Sequence, residues 1–205
     1  LLKLAQLPSL SDPQMVNELK TQMTRASAPT PSVETILHAT LPYKFVDHTH
    51  ADAVVTITNT DQGLERIQAV YGDQVVIIPY IMPGFDLARL CAERFAAAAG
   101  PQTIGMVLMN HWIFSFGATA QEAYERMIYL VDLAEQYLQS QGAWDLASHP
   151  PQKKQQSVGD VLAHLRAEVS AAAGFPVILN RQLDDCSLAF AQRSDLAEIA
   201  QQGPA

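Results

Sequence analysis

The sequence predicts an α/β fold in which helices cover a central mixed or antiparallel sheet. Three observations lead there. Short strand-like apolar runs alternate with helix-like runs along the chain, the pattern of a sheet clothed by helices. The longest helical run carries Ala123, Met127, Leu130, Ala134, Tyr137 and Leu138 at helical spacing, a stripe that packs on a core. The strand-like stretches Phe45–Asn59 and Thr103–Phe116 are placed to pair antiparallel. Length bounds the rest: 205 residues, 48% of them apolar and 17% charged, suit one sizeable domain with an appendage.

The elements follow in order. Residues 11–25 read as a helix, because Ser11 and Gln14 have capping-box spacing and Pro13 suits a first turn. Pro29 and Pro31 break the chain before a short helix at Ser32–Leu41, which Pro42 ends. Phe45–Asn59 reads as extended, with the β-branched run Ala53-Val54-Val55-Thr56-Ile57-Thr58 inside it. A helix is expected at Leu64–Tyr71, a strand at Val75–Pro79, and a helix at Phe85–Ala99 after Pro83-Gly84. Buried strands are expected at Thr103–Met109 and Trp112–Phe116, the second ended by Gly117, then the long helix Ala118–Ser140. The polar, proline-bearing run 148–156 reads as a linker. It divides the chain into residues 1–147 and a smaller unit, 148–205, with a helix at Val158–Ala173, a strand at Pro176–Leu179 and two small helices.

Charge and composition exclude several classes of partner. A formal net charge of -8 and no basic cluster beyond Lys153-Lys154 argue against nucleic acid. No apolar run reaches the length of a membrane span, and Leu1–Ala5 is too short for a signal peptide core. Cys91 and Cys186 form no metal or redox motif and read as reduced thiols of a cytoplasmic protein.

The chemistry lies in the histidines. Half of the six histidines fall in two short runs, Asp47-His48-Thr49-His50-Ala51-Asp52 and Asn110-His111-Trp112. On a strand, His48 and His50 project to one face. His111, at the end of another strand, is placed to close a triangle. Three neutral imidazoles with an open position are the layout of a catalytic zinc site. Glu34, in Pro31-Ser32-Val33-Glu34-Thr35, either supplies a fourth position or stands beside the metal as a base. Taken singly each feature is ordinary: Glu34 alone is a first-turn acid favoured by a helix dipole. His38 shares a helix face with Glu34 and either orients it or a metal ligand, or simply packs. Asp47 points to the opposite face from His48. Asp52 continues the His48/His50 face and is placed to hold an imidazole N–H. Asn110 either contacts substrate or closes a turn. His149 and His164 read as solvated tail residues.

Taken together the motifs resemble the class II aldolase/adducin family. The resemblance rests on Pro31-Ser32-Val33-Glu34-Thr35-Ile36-Leu37-His38, Asp47-His48-Thr49-His50-Ala51-Asp52-Ala53, Pro83-Gly84, Asn110-His111-Trp112-Ile113-Phe114-Ser115-Phe116-Gly117 and Gln121-Glu122-Ala123-Tyr124. It covers about residues 28 to 140. Its wording is similar to the aldolase half of bifunctional rhamnulose-1-phosphate aldolase/short-chain alcohol dehydrogenase proteins, and residues 150–205 look like their connector. The resemblance implies a three-layer fold, one zinc ion per chain on His48, His50 and His111, and Glu34 as the catalytic acid/base. It implies cleavage of a phosphorylated ketose (a ketose 1-phosphate such as rhamnulose 1-phosphate) to dihydroxyacetone phosphate and an aldehyde. It also implies a homo-oligomer, typically a homotetramer, with the site near a subunit interface.

Two departures qualify this. The family's glycine-rich phosphate loop precedes its glutamate, yet the first glycine here is Gly63. With no initiating Met, the chain is expected to lack an N-terminal portion. Trp112 stands where relatives usually carry glycine, which either narrows the pocket or packs beneath it. No G-x-G-x-x-G dinucleotide fingerprint occurs. Beside the lyase stand an epimerase or dehydratase of the same family, a non-catalytic adducin-like interaction module, and a three-histidine metallohydrolase.

Overall fold

A computed structural model describes residues 1–32, 34–144 and 158–199. The chain divides into two compact units, Leu1–Asp145 and Leu146–Gly203. The expected linker, 148–156, and His149 lie outside the described residues.

In the first unit the elements are α1 (Asp12–Thr21), α2 (Glu34–Thr40), β1 (Phe45–Thr49), α3 (Asp52–Thr58), α4 (Gly63–Tyr71), β2 (Val75–Ile78), α5 (Phe85–Ala98), β3 (Gly105–Leu108), β4 (Trp112–Gly117) and α6 (Ala120–Ser140). Among the described residues the strands form one sheet in the order β1-β4-β3-β2. β4 pairs antiparallel with β1 and β3, while β2 runs parallel to β3. The sheet is therefore mixed, as expected.

The side-chain alternation of β4 builds three layers. Trp112, Phe114 and Phe116 enter a core with Met15, Leu19, Ile36, Leu37, Phe85 and Phe95 from α1, α2 and α5. Ile113 enters a second core with Val54, Ile57, Ile67, Leu130 and Ala134 from α3, α4 and α6. All six β4 residues are buried, so the strand reads as a continuous apolar run rather than as an alternating one. Gly117 ends β4 because a Cβ there would lie 2.5 Å from the Ala123 backbone nitrogen. The close approach lets α6 start directly after the strand, capped by Thr119, whose hydroxyl accepts from Glu122 N–H.

The segment Ala53–Thr58 is helix, not strand: β1 stops at Thr49 and α3 begins at Asp52. Its buried residues are Ala53, Val54, Ile57 and Thr58, while Thr56 is exposed, which is helical spacing. Packing of that face on α6 and α4 outweighs the β-branched propensity. Thr58 also returns its hydroxyl to the Val55 carbonyl at 3.0 Å, satisfying it within the helix. The first helix is shorter than expected, Asp12–Thr21, though its capping box is present.

The second unit contains α7 (Gly159–Ala173), α8 (Asp185–Ala191) and α9 (Leu196–Ile199). The expected strand at Pro176–Leu179 is not formed among the described residues. Val177 instead donates its N–H to Ser170 Oγ at 3.2 Å and accepts from Arg166 Nε at 2.7 Å. Side chains of α7 take the backbone groups a strand partner would have used. His164 is exposed, as expected. Among the described residues no helix is long and apolar enough to cross a membrane.

Candidate metal centre

His48 lies on β1 opposite Phe114 of β4, and so on the sheet face that α2 covers. Asp47 lies opposite Ser115, on the other face, as the alternation required. His50 follows the strand, its ring centroid 6.2 Å from that of His48. His111 sits in the turn between β3 and β4, 5.0 Å from His50 by ring centroids. The three imidazoles singled out from sequence thus form a row at one end of the sheet, in the order His48, His50, His111.

The β3–β4 turn is what brings His111 there. Asn110 has φ 62°, a left-handed conformation that asparagine tolerates better than most residues. Its side-chain amide donates to the Thr58 carbonyl at 3.2 Å and to Asn59 Oδ1 at 2.6 Å. Asn110 therefore closes the turn and ties it to the end of α3. Of its two readings from sequence, turn closure is the one with contacts.

Trp112 forms the floor. Its indole is 1% exposed, lies 3.9 Å from the His111 ring and stacks on His50 at 5.4 Å and 17°. It packs beneath the histidines. Glu34 opens α2 and shares a crevice too tight for a water molecule with Leu37, Gly84, Leu87, Ala88 and Trp112. The Pro83-Gly84 motif thus meets the glutamate motif here. A larger hollow of about 460 Å³, bounded by Tyr43, Phe95 and Gly100 among others, carries no histidine or carboxylate.

His38, on α2, reaches the row from the side. Its Nε2 stands 3.1 Å from His48 Nδ1, and the Phe114 ring lies beside both imidazoles, at 5.4 and 5.3 Å. Asp52 does not continue the histidine face. Because the strand has already ended, it is an exposed first-turn residue of α3, favoured by the helix dipole. Among the described residues it makes no hydrogen bond to an imidazole. Phe114 was not legible in sequence, and neither was which candidate ligand His38 would meet. The only signal was the aromatic alternation Trp112, Phe114, Phe116, which places Phe114 on the face of Trp112.

The surroundings disfavour protonation of His38, His48 and His111. Desolvation pushes His38 below its ordinary value, helped by His48 and opposed by Glu34, Asp47 and a hydrogen bond with the Val46 backbone. Desolvation likewise lowers His48, against the charges of Glu34 and Asp47 and with the help of His50. His111 is lowered by desolvation, then by His50 and His48, with Glu34 opposing. One carboxylate, Glu34, therefore acts on three rings. Neutral imidazole is the ligating form, and His111 Nδ1 is buried without a hydrogen-bond partner. The donor set fits a divalent transition metal in kind. Among the described residues no three His, Cys, Asp or Glu side chains stand in a ready-made ligating arrangement.

The family model of the Class II Aldolase and Adducin N-terminal domain matches residues 9–138, which take in the whole site. The chain belongs to this family. Class II aldolase and adducin relatives bear out the expected fold. The chain is similar to the N-terminal class II aldolase domain of a conserved protein from Thermoplasma acidophilum, at 45% identity and a TM-score of 0.61, over 67% of this chain and 62% of that one. It is 32% identical over 212 residues to a Bacillus subtilis (strain 168) protein named uncharacterized oxidoreductase YuxG, covering 100% of this chain. It spans 30% of that curated relative's length. A sugar-phosphate aldolase from Thermotoga maritima matches at 18% identity and a TM-score of 0.47, over 58% of each chain. Class II aldolases are in general lyases that depend on a divalent metal, typically zinc.

Proposed function

We propose that this chain is the metal-holding part of a class II aldolase that cleaves a ketose 1-phosphate, of the rhamnulose 1-phosphate kind, into dihydroxyacetone phosphate and an aldehyde. The observation that supports it most is the row of His48, His50 and His111 under the charge of Glu34. His48, His50 and His111 would hold one zinc ion. A bound divalent cation supplies Lewis-acid charge toward the ketose oxygens.

The chain's own residues supply the rest. When the carbon–carbon bond breaks, one fragment keeps the electron pair and needs a proton on carbon. The other releases a hydroxyl proton as its carbonyl forms. Glu34, the carboxylate whose charge acts on His48 and His111, would move the proton on carbon. Trp112 seals the floor and keeps water from the buried side of the histidines. The first glycine, Gly63, begins α4, where a Cβ would meet the Thr58 carbonyl oxygen at 2.5 Å. It serves a helix corner, so among the described residues no glycine-rich loop offers itself to the phosphate.

The name oxidoreductase borne by YuxG supports placing this domain beside a dehydrogenase half in a longer protein of the bifunctional kind. An epimerase or dehydratase would use the same residues. A non-catalytic, adducin-like module is favoured by one observation, that among the described residues no three donors already converge. Two measurements separate these readings: zinc per chain in protein purified without added metal, and aldehyde release from a panel of ketose 1-phosphates, using this chain and any longer native form. About one zinc per chain with aldehyde release supports the lyase. Isomeric ketose without aldehyde points to the epimerase. No zinc, even when it is offered, leaves the interaction module.

A further inference from the structure

We propose that His38 is a positioning residue that sets the tautomer of His48, holding the Nδ1 of that ring protonated so that its Nε2 lone pair faces outward for a cation. The inference deepens the three-histidine reading and rests on it. Its foundation is one contact, His38 Nε2 to His48 Nδ1 at 3.1 Å, between residues of α2 and β1 that no local motif links.

The direction of that hydrogen bond follows from the ligating role of His48. With its Nδ1 facing His38, only Nε2 is left to meet a cation, and it must keep its lone pair to do so. A neutral imidazole has one N–H and one lone pair. His48 therefore carries its proton on Nδ1 and donates it, and His38 accepts with the lone pair of its Nε2. The proton of His48 is then fixed on Nδ1, and Nε2 is free. If His48 instead carried its proton on Nε2, two lone pairs would face each other across 3.1 Å and the outward nitrogen would be blocked.

Packing holds the pair in this arrangement. The two rings meet edge to face, with centroids 5.1 Å apart and planes at 67°, and Phe114 limits movement of both. Metal-ligating histidines generally have their second nitrogen engaged in this way, and losing that partner costs about 10- to 100-fold in metal affinity.

The test reads the tautomer without metal and then the affinity with it. In the metal-free, nitrogen-15-labelled chain, long-range proton–nitrogen spectra report which ring nitrogen of each histidine is protonated, and His48→Gln assigns the resonances. His48 is expected with its proton on Nδ1. His38→Ala should move it toward the Nε2-protonated form, and His38→Gln, whose amide oxygen can accept the same proton, should restore it. A wild-type His48 protonated on Nε2, or one indifferent to His38→Ala, overturns the proposal. Zinc affinity is then measured by chelator competition. His38→Ala should bind about 10- to 100-fold more weakly than wild type, with His38→Gln recovering most of the loss. Equal affinities in all three chains overturn the proposal and leave the three-histidine reading intact. Failure of wild type to bind zinc, with the tautomer result as expected, counts against the metal reading instead and leaves the role of His38 on His48 supported.

Discussion

The indole of Trp112 lies under the imidazole of His50, with ring centroids 5.4 Å apart and planes within 17° of parallel. The same indole is 3.9 Å from His111 and 5.5 Å from His48. One buried side chain therefore supports the whole row and senses each member of it.

That contact makes Trp112 a reporter. In a Trp144→Phe background, which removes the exposed second indole, Trp112 emission should fall as the neighbouring imidazoles protonate or take up zinc. Fluorescence titration measures it, and an emission unchanged by both acid and zinc would contradict the stacking. Trp112→Ala should destabilise the fold by about 3–5 kcal/mol, the usual cost of deleting a buried aromatic ring. Trp112→Phe should lose less in the same urea titration.

Glu34→Gln should keep the zinc content of wild type and lower turnover by about 100-fold or more, the usual contribution of a proton carrier. By contrast, alanine at His48, His50 or His111 should remove both metal and activity. Wild-type rates in Glu34→Gln would refute the assignment of the carboxylate.

Stability should fall with acid through the histidines. His38, His48 and His111 all titrate below their ordinary value of 6.5 in the fold, chiefly by desolvation. Between the folded and unfolded values the unfolded chain binds more protons. Their contribution is thus fully present above about pH 6.5 and is lost as pH falls through the folded values. The melting temperature of the metal-free chain should drop between pH 7.5 and pH 5, and His48→Gln should shallow that slope. A slope unchanged by the substitution would count against the desolvated cluster.

Asn110 gives a backbone test. With φ at 62° and two hydrogen bonds to the end of α3, Asn110→Ala should cost about 1–3 kcal/mol, from left-handed strain and lost partners. Asn110→Gly loses the partners and not the conformation, so it should cost less. Equal losses in chemical denaturation would mean that strain plays no part.

Thr56 distinguishes helix from strand at the corrected segment. It is exposed in the middle of α3, where alanine is the better helix former by roughly 0.5 kcal/mol. Thr56→Ala should therefore raise stability slightly. In a strand the same change would lower it.

The sequence by itself determined the layering of the first unit and nominated the residues of the candidate site. Helices near α1, α2, α4, α5 and α6 and strands near β2, β3 and β4 followed from apolar period and capping, because those signals act over a few neighbouring residues. His48, His50, His111 and Glu34 stood out as candidates because their residue types and order carry the family motif. Segments where short-range preference and long-range packing disagree were misread. Ala53–Thr58 is β-branched, yet it is helical because α4 and α6 bury one helical face of it. Pro176–Leu179 looks like a strand but gives its Val177 backbone groups to Ser170 and Arg166. Tertiary structure alone showed that Asn110 closes a turn, that Asp52 leaves the histidine face, and that the candidate ligand His38 touches is His48. Each of these depends on where a distant element ends, and a spacing rule counted along one strand or helix does not carry across to the next.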